Sequence, residues 1–147
     1  MLQYLFSTRR GRWLALLTTV LVYSAPVGAE TGKAPDPAAA ARGEPLYVEH
    51  CQGCHGVRGI GEPMIPPLIR LPGFFSAPAL DDSQHAWHHS DDNLAKIIAE
   101  GSTRSPRMPG WGKTLSKREI RDIIAYMKSL WGPRALECQG PRHMSCN

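Results

Sequence analysis

The run Cys51-Gln52-Gly53-Cys54-His55 constrains this chain more than any other feature. Two thiols three positions apart can each add to one vinyl group of a haem while the adjacent imidazole reaches the iron, so covalent haem attachment explains the spacing. Two other chemistries use the same thiol pair. A zinc half-site needs a second Cys or His pair at ligand spacing, and a thioredoxin-like redox pair needs a strand–helix–strand setting. Neither context is present: the remaining cysteines, Cys138 and Cys146, stand eight positions apart.

At 147 residues the chain suits one small domain with extra segments, since domains commonly run ~100–150 residues. Residues 1–29 read as an export signal. Arg9, Arg10 and Arg12 precede the apolar run Trp13 to Val22, and Val27-Gly28-Ala29 offers a cleavage site after Ala29. The rival reading is a retained membrane anchor. Ser24 and Pro26 break the run before the ~20 apolar residues that a spanning helix needs. Arg9-Arg10 is a poor match to a twin-arginine signal, and a haem attached after export needs no folded translocation. Without Arg9, Arg10 and Arg12 the 17 Lys and Arg fall to 14 against 13 acids, near +1. That balance lacks the concentrated basic face of a nucleic-acid binder, so no nucleic acid is expected. The basic residues suit a docking rim for an acidic redox partner.

The rest of the chain is punctuated by glycine and proline. Residues 30–41 have linker composition giving way to helix. A first helix is expected from Glu44-Pro45, where proline suits the opening turn, through Leu46, Tyr47, His50 and Cys51 to about Cys54. Gly56 to Leu80 holds too many glycines and prolines for a helix or central strand. Such a long loop needs a task, and wrapping a cofactor is one. Ser90 caps a middle helix, with Asp91 and Asp92 in its first turn, an apolar stripe of Leu94, Ile97 and Ile98, and Gly101 at its end. Ser116 and Glu119 form a capping box for a last helix, with Ile120, Ile123, Ile124, Met127, Leu130 and Trp131 inward, stopping at Gly132-Pro133. The plan is all-α, three main helices joined by loops. A domain so small buries a modest share of its surface, and a large apolar cofactor would supply core that the side chains lack.

A second iron ligand is sought in the loop Ser102 to Leu115. Met108 there lies in a stretch too polar and proline-rich for an ordinary core methionine, which makes it the candidate. With that residue in place, the segment from about Arg42 to Trp131 resembles a small monohaem cytochrome c with His/Met ligation. The resemblance rests on Cys51 to His55, on Gly59 and Gly61 just after, on Pro66-Pro67-Leu68, on Met108-Pro109, and on Gly43 and Tyr47 facing Tyr126. It implies a cytochrome c fold wrapped around one covalent haem c, with Cys51 and Cys54 as attachment points and His55 and Met108 on the iron. It also implies that a carbonyl of Pro66 or Pro67 accepts the ring N–H of His55, and that Pro66, Pro67 and Trp111 surround the haem. The domains expected are then a signal at 1–29, a linker at 30–41, the cytochrome domain at 42–132 and a cysteine-containing tail at 133–147.

Both axial positions filled would leave no site for substrate, and a thioether ligand raises the reduction potential. The resemblance therefore implies periplasmic one-electron transfer without enzymatic chemistry, with redox donor and acceptor proteins as partners and a membrane only if the N-terminal segment is retained. Two other readings stay open. One is a haem enzyme or ligand sensor with an open sixth position. The other is a copper-handling protein using Cys138, His143, Met144 and Cys146, since copper(I) prefers such soft donors. The default for Cys138 and Cys146 in an oxidising compartment is a disulfide. His85, His88 and His89 around Trp87 lack a matching ligand group and read as a polar loop packing Trp87 on the haem surround. His50 reads as a surface or half-buried helix residue.

Overall fold

The first helix, α1 (Pro37–His50), starts ahead of the expected Glu44-Pro45. Asp36 caps it, its carboxylate accepting the N–H of Ala38 at 3.0 Å and of Ala39 at 3.3 Å. Pro37 then opens the helix and the alanines that follow are the best helix formers, so residues 37–41 of the expected linker are helical. Pro45 lies inside α1, where proline ordinarily breaks a helix. Ala41, whose carbonyl loses its partner, and Pro45 are both on the exposed side, so water can satisfy that carbonyl.

This computed structural model describes residues 34–140. The expected signal at 1–29, and His143, Met144 and Cys146, lie outside the described residues. Among the described residues the structure is helical, without strands. A short turn, α2 (Gln52–His55), follows the break at Cys51, and then come α3 (Asp91–Glu100), α4 (Lys117–Ser129) and α5 (Pro133–Cys138).

The caps read from sequence are in place. Ser90 Oγ accepts the Asn93 N–H, Gly101 ends α3, and Ser116 and Glu119 cap each other's N–H groups at 3.3 and 2.8 Å. The core sits between α1 and α4 and extends to α3. Tyr47 and Ile123 are fully buried, with Ile120, Ile124, Met127, Leu94 and Ile98 around them. Gly43 lets the two helices touch backbone to backbone, and Tyr47 meets Tyr126 at 5.0 Å between ring centroids. Arg42 closes the crossing with two hydrogen bonds to the buried Asp122, at 2.9 and 2.8 Å.

The expected tail is partly a packed element. α5 buries Ala135 and Cys138 and lies against the turn Ala86–His88. Gln139 Nε2 donates to His89 O at 2.9 Å and to Asp91 Oδ1 at 2.7 Å, while Nζ of Lys128, a side chain 4% exposed, donates to Asp91 at 3.0 Å. Cys138 is not a free thiol, and the Cys146 expected to pair with it lies outside the described residues.

Candidate haem site

The Cys51 to His55 motif is presented where α1 breaks. Cys51 leaves the helical line at φ −119°, and the α2 turn sets His55 above it through His55 N–H donating to Cys51 O at 2.9 Å. Cys51 is buried and Cys54 exposed, and both are free thiols. Burial, and the nearby Cys54, push the Cys51 thiol up to about 11. Tyr47 Oη donates to Gly56 O at 2.7 Å and so pins the exit of the motif to the core.

His55 is 7% exposed, and its Nδ1 lies 2.9 Å from Pro78 O. A carbonyl can only accept, so Nδ1 carries the proton and Nε2 keeps its lone pair for a metal. Burial lowers the His55 pKa, only partly offset by that hydrogen bond, and favours the neutral ring that ligation needs. The acceptor corrects the sequence expectation. It is Pro78, not Pro66 or Pro67.

The reason lies in how the long loop closes. Gly61 N–H donates to His55 O at 2.7 Å, and Gly59 O accepts from Leu80 N at 2.7 Å and Asp81 N at 3.2 Å. Gly61 has φ +76°, and a Cβ there would lie 2.6 Å from Ala79 N, so only glycine lets the two arms meet. Glu62 N–H donates to Ala77 O at 2.9 Å, which sets Pro78 beneath His55. Pro66 falls in the exposed part of the loop instead. The signal that sequence reading passed over is Pro78-Ala79-Leu80, with Ala79 fully buried at the closure.

Met108 is half-buried in the loop after α3, held by its N–H to Ser105 O at 3.2 Å and by Ser102 N–H to its carbonyl at 3.0 Å. Arg107 beside it forms two hydrogen bonds to Glu62, at 2.8 and 2.7 Å. Sequence reading missed this pair, whose members are 45 residues apart. Trp111 is half-buried, with its ring 5.0 Å from that of the half-buried His50. His85 lies 4.8 Å from His88 and 4.9 Å from His89, ring to ring, and Trp87 packs edge-on against His88. No cluster of three or more His, Cys, Asp or Glu side chains able to hold a metal ion by themselves occurs among the described residues.

The Arg107 guanidinium, followed by the Ala77 N–H, holds the Glu62 carboxyl down to about 2 from its ordinary 4.5. A depressed carboxyl stabilises the fold above its unfolded pKa and loses that contribution as pH falls through the folded one. Thermal unfolding between about pH 4.5 and 2 should therefore decline less steeply for Glu62→Gln than for the native chain. The difference is small because the pair is part-exposed; identical slopes would contradict it.

The residues suit a haem. Two free thiols precede a buried imidazole whose Nε2 is uncommitted among the described residues, and Val57, Ile60, Met64 and Leu68 just beyond are 60, 65, 82 and 98% exposed. A cavity of about 310 Å³ is lined by Pro78, Met64, Ile65 and Phe75 with Arg70, Arg104 and Glu62, while Cys51, Cys54, His55 and Met108 do not line it.

Residues 38–127 match the family described as Cytochrome C oxidase, cbb3-type, subunit III. The chain is 32% identical over 93 residues to the cbb3-type cytochrome c oxidase subunit FixP of Bradyrhizobium diazoefficiens, covering 63% of this chain and 28% of that one. It is 28% identical over 102 residues to the cytochrome c subunit of a quinone alcohol dehydrogenase from Gluconacetobacter polyoxogenes, covering 63% and 19%. It thus spans less than a third of either relative. Among solved structures it resembles cytochrome cL of Methylophaga aminisulfidivorans, with 28% identity and a TM-score of 0.51 over 65% of this chain and 55% of that one. Fold, motif and relatives agree: the chain belongs to the c-type cytochrome family of cbb3-type oxidase subunit III, and it carries covalently bound haem c.

Proposed function

We propose that the protein is a one-electron carrier of the periplasm, or the cytochrome subunit of a redox complex there, with haem c joined to Cys51 and Cys54 and ligated by His55 and Met108. The observation that carries this reading is the buried His55 ring, oriented by Pro78 O at 2.9 Å one residue after Cys54. When bound, the haem supplies a reversible ferric/ferrous couple, which a thioether ligand biases towards the ferrous form. The chain's part would be to hold the ring of His55 neutral and fixed, to offer Met108 as the second ligand, and to keep solvent out. Trp111, its ring 5.0 Å from that of His50, would belong to the haem surround, and Pro66 and Pro67 to the loop that would cover the haem edge.

Carbon monoxide tests the ligand set. The native ferrous protein should not take it up, and the ferric protein should show the sulfur-to-iron charge-transfer band. Met108→Ala should lose that band and bind carbon monoxide. Ready binding by the native protein would overturn the carrier reading in favour of a sensor or enzyme with an open sixth position.

The partners are then redox donor and acceptor proteins, as the oxidase and dehydrogenase relatives suggest. The segment 1–29 would direct export, with cleavage after Ala29 and a Cys138–Cys146 disulfide formed on arrival. No helix among the described residues is long and apolar enough to cross a membrane. The mass of the periplasmic protein, before and after reduction and alkylation, checks these together. A retained N-terminus, or two thiols open to alkylation before reduction, would refute the corresponding part.

A further inference from the structure

We propose that the Arg107–Glu62 pair is a clasp that positions Met108 against the iron by tying the loop of the sixth ligand to the loop that orients the fifth. This rests on Met108 being the ligand. Arg107 is its immediate neighbour, and its guanidinium donates through Nη1 to Glu62 Oε2 at 2.8 Å and through Nη2 to Glu62 Oε1 at 2.7 Å. Nη1 also donates to Phe75 O at 3.0 Å, and the guanidinium lies 4.4 Å from the Phe74 ring centroid.

Glu62 is in turn built into the His55 side. Its Oε2 accepts the Ala77 N–H at 2.8 Å, its own N–H donates to Ala77 O at 2.9 Å, and the next residue, Pro78, carries the carbonyl on His55 Nδ1. Its other neighbour, Gly61, donates to His55 O at 2.7 Å. One carboxylate therefore touches both loops, and the Arg107–Phe75 O bond at 3.0 Å runs beside it.

The geometry separates this pair from ordinary surface charges. Arg121–Asp92 is a single contact at 3.3 Å between side chains 51 and 72% exposed, and Lys96–Glu100 is at 4.0 Å. Arg107 and Glu62 are 35 and 29% exposed and meet in a planar two-bond fork. Such a fork fixes direction as well as distance, which an ammonium cannot do. Among the described residues the other two-bond arginine fork is Arg42–Asp122, at the α1–α4 crossing. It supplies a control of the same chemistry.

The test uses the haem-loaded chain and imidazole as the competing ligand for ferric iron, followed with the charge-transfer band and the unfolding midpoint. Losing a charge-assisted fork should raise the rate at which imidazole displaces Met108 by about tenfold in Arg107→Met. Arg107→Lys should recover little of it, and Glu62→Gln should fall between. Arg42→Met should lower the unfolding midpoint and leave the imidazole rate within about twofold, as expected for sites with no shared partner. A native protein showing the band, with Arg107→Met and Arg107→Lys exchanging imidazole at the native rate, would overturn the clasp and leave the Met108 assignment standing. An equal acceleration in Arg42→Met would reduce the pair to general stability and overturn it too. Absence of the band in the native protein would remove the Met108 reading and the clasp with it.

Discussion

Replacing Gly43 by alanine should lower the thermal unfolding midpoint by more than about 10 °C, a loss of at least about 3 kcal/mol. A Cβ at this position would stand 1.9 Å from Asp122 O and 2.3 Å from Asp122 C. The obstacle is the backbone of α4, which no rotamer change can move aside. Relief requires the helices to part, and parting them strains the Tyr47–Tyr126 contact at 5.0 Å and the Arg42–Asp122 fork together. The motif should suffer too, because Tyr47 Oη holds Gly56 O at the exit of the His55 turn. Gly53→Ala is the matched control. Its Cβ would meet nothing within 4 Å, and alanine is the better helix former by about 1 kcal/mol, so the midpoint should hold or rise slightly. Equal midpoints for the two variants would show that the crossing is not the constraint described.

Lys128→Met should destabilise the fold by about 3 kcal/mol, the typical cost of stripping one partner from a buried ion pair. The Lys128 side chain is 4% exposed, and its ammonium contacts both Asp91 oxygens, at 3.2 and 3.0 Å. Without it the Gln139 amide remains as a donor to the carboxylate, at 2.7 Å. Asp91 also stands in the first turn of α3, where the helix dipole favours its charge, so part of its stabilisation survives. The damage should concentrate on α5, which hangs from this network through Gln139. Amide hydrogen exchange is the sensitive readout, with α5 losing protection before α1 and α4 do. Adding Asp91→Asn should restore part of the midpoint, since a neutral pair leaves no charge stranded. A full 3 kcal/mol loss in each single variant with no recovery in the double would mean the two residues act independently.

Both effects are tertiary, and they mark the limit of sequence reading. Ser90, the Ser116–Glu119 box and Gly101 were legible because a cap is decided within three or four residues of itself. The inward face of α4 was legible through its period, and the Gly43–Tyr47–Tyr126 pairing through its resemblance to cytochromes c. The start of α1 was missed by seven residues. Pro45 looked like an opening residue, and the Asp36 cap with the alanine run outweighed it locally. The tail looked loose because its glycines and prolines hide a six-residue helix whose stability comes from Asp91, His89 and the Ala86–His88 turn.

The sequence by itself determined the candidate chemistry: Cys51, Cys54 and His55 stand at the spacing that covalent haem attachment requires. What only the tertiary structure decided is what holds those groups still. Pro78 rather than Pro66 or Pro67 orients His55, and Glu62 reaches Arg107, because the loop closes at Gly59 and Gly61 on residues 77–81. Which carbonyl meets a ring after such a closure depends on the path of every residue between, and no local pattern carries that information.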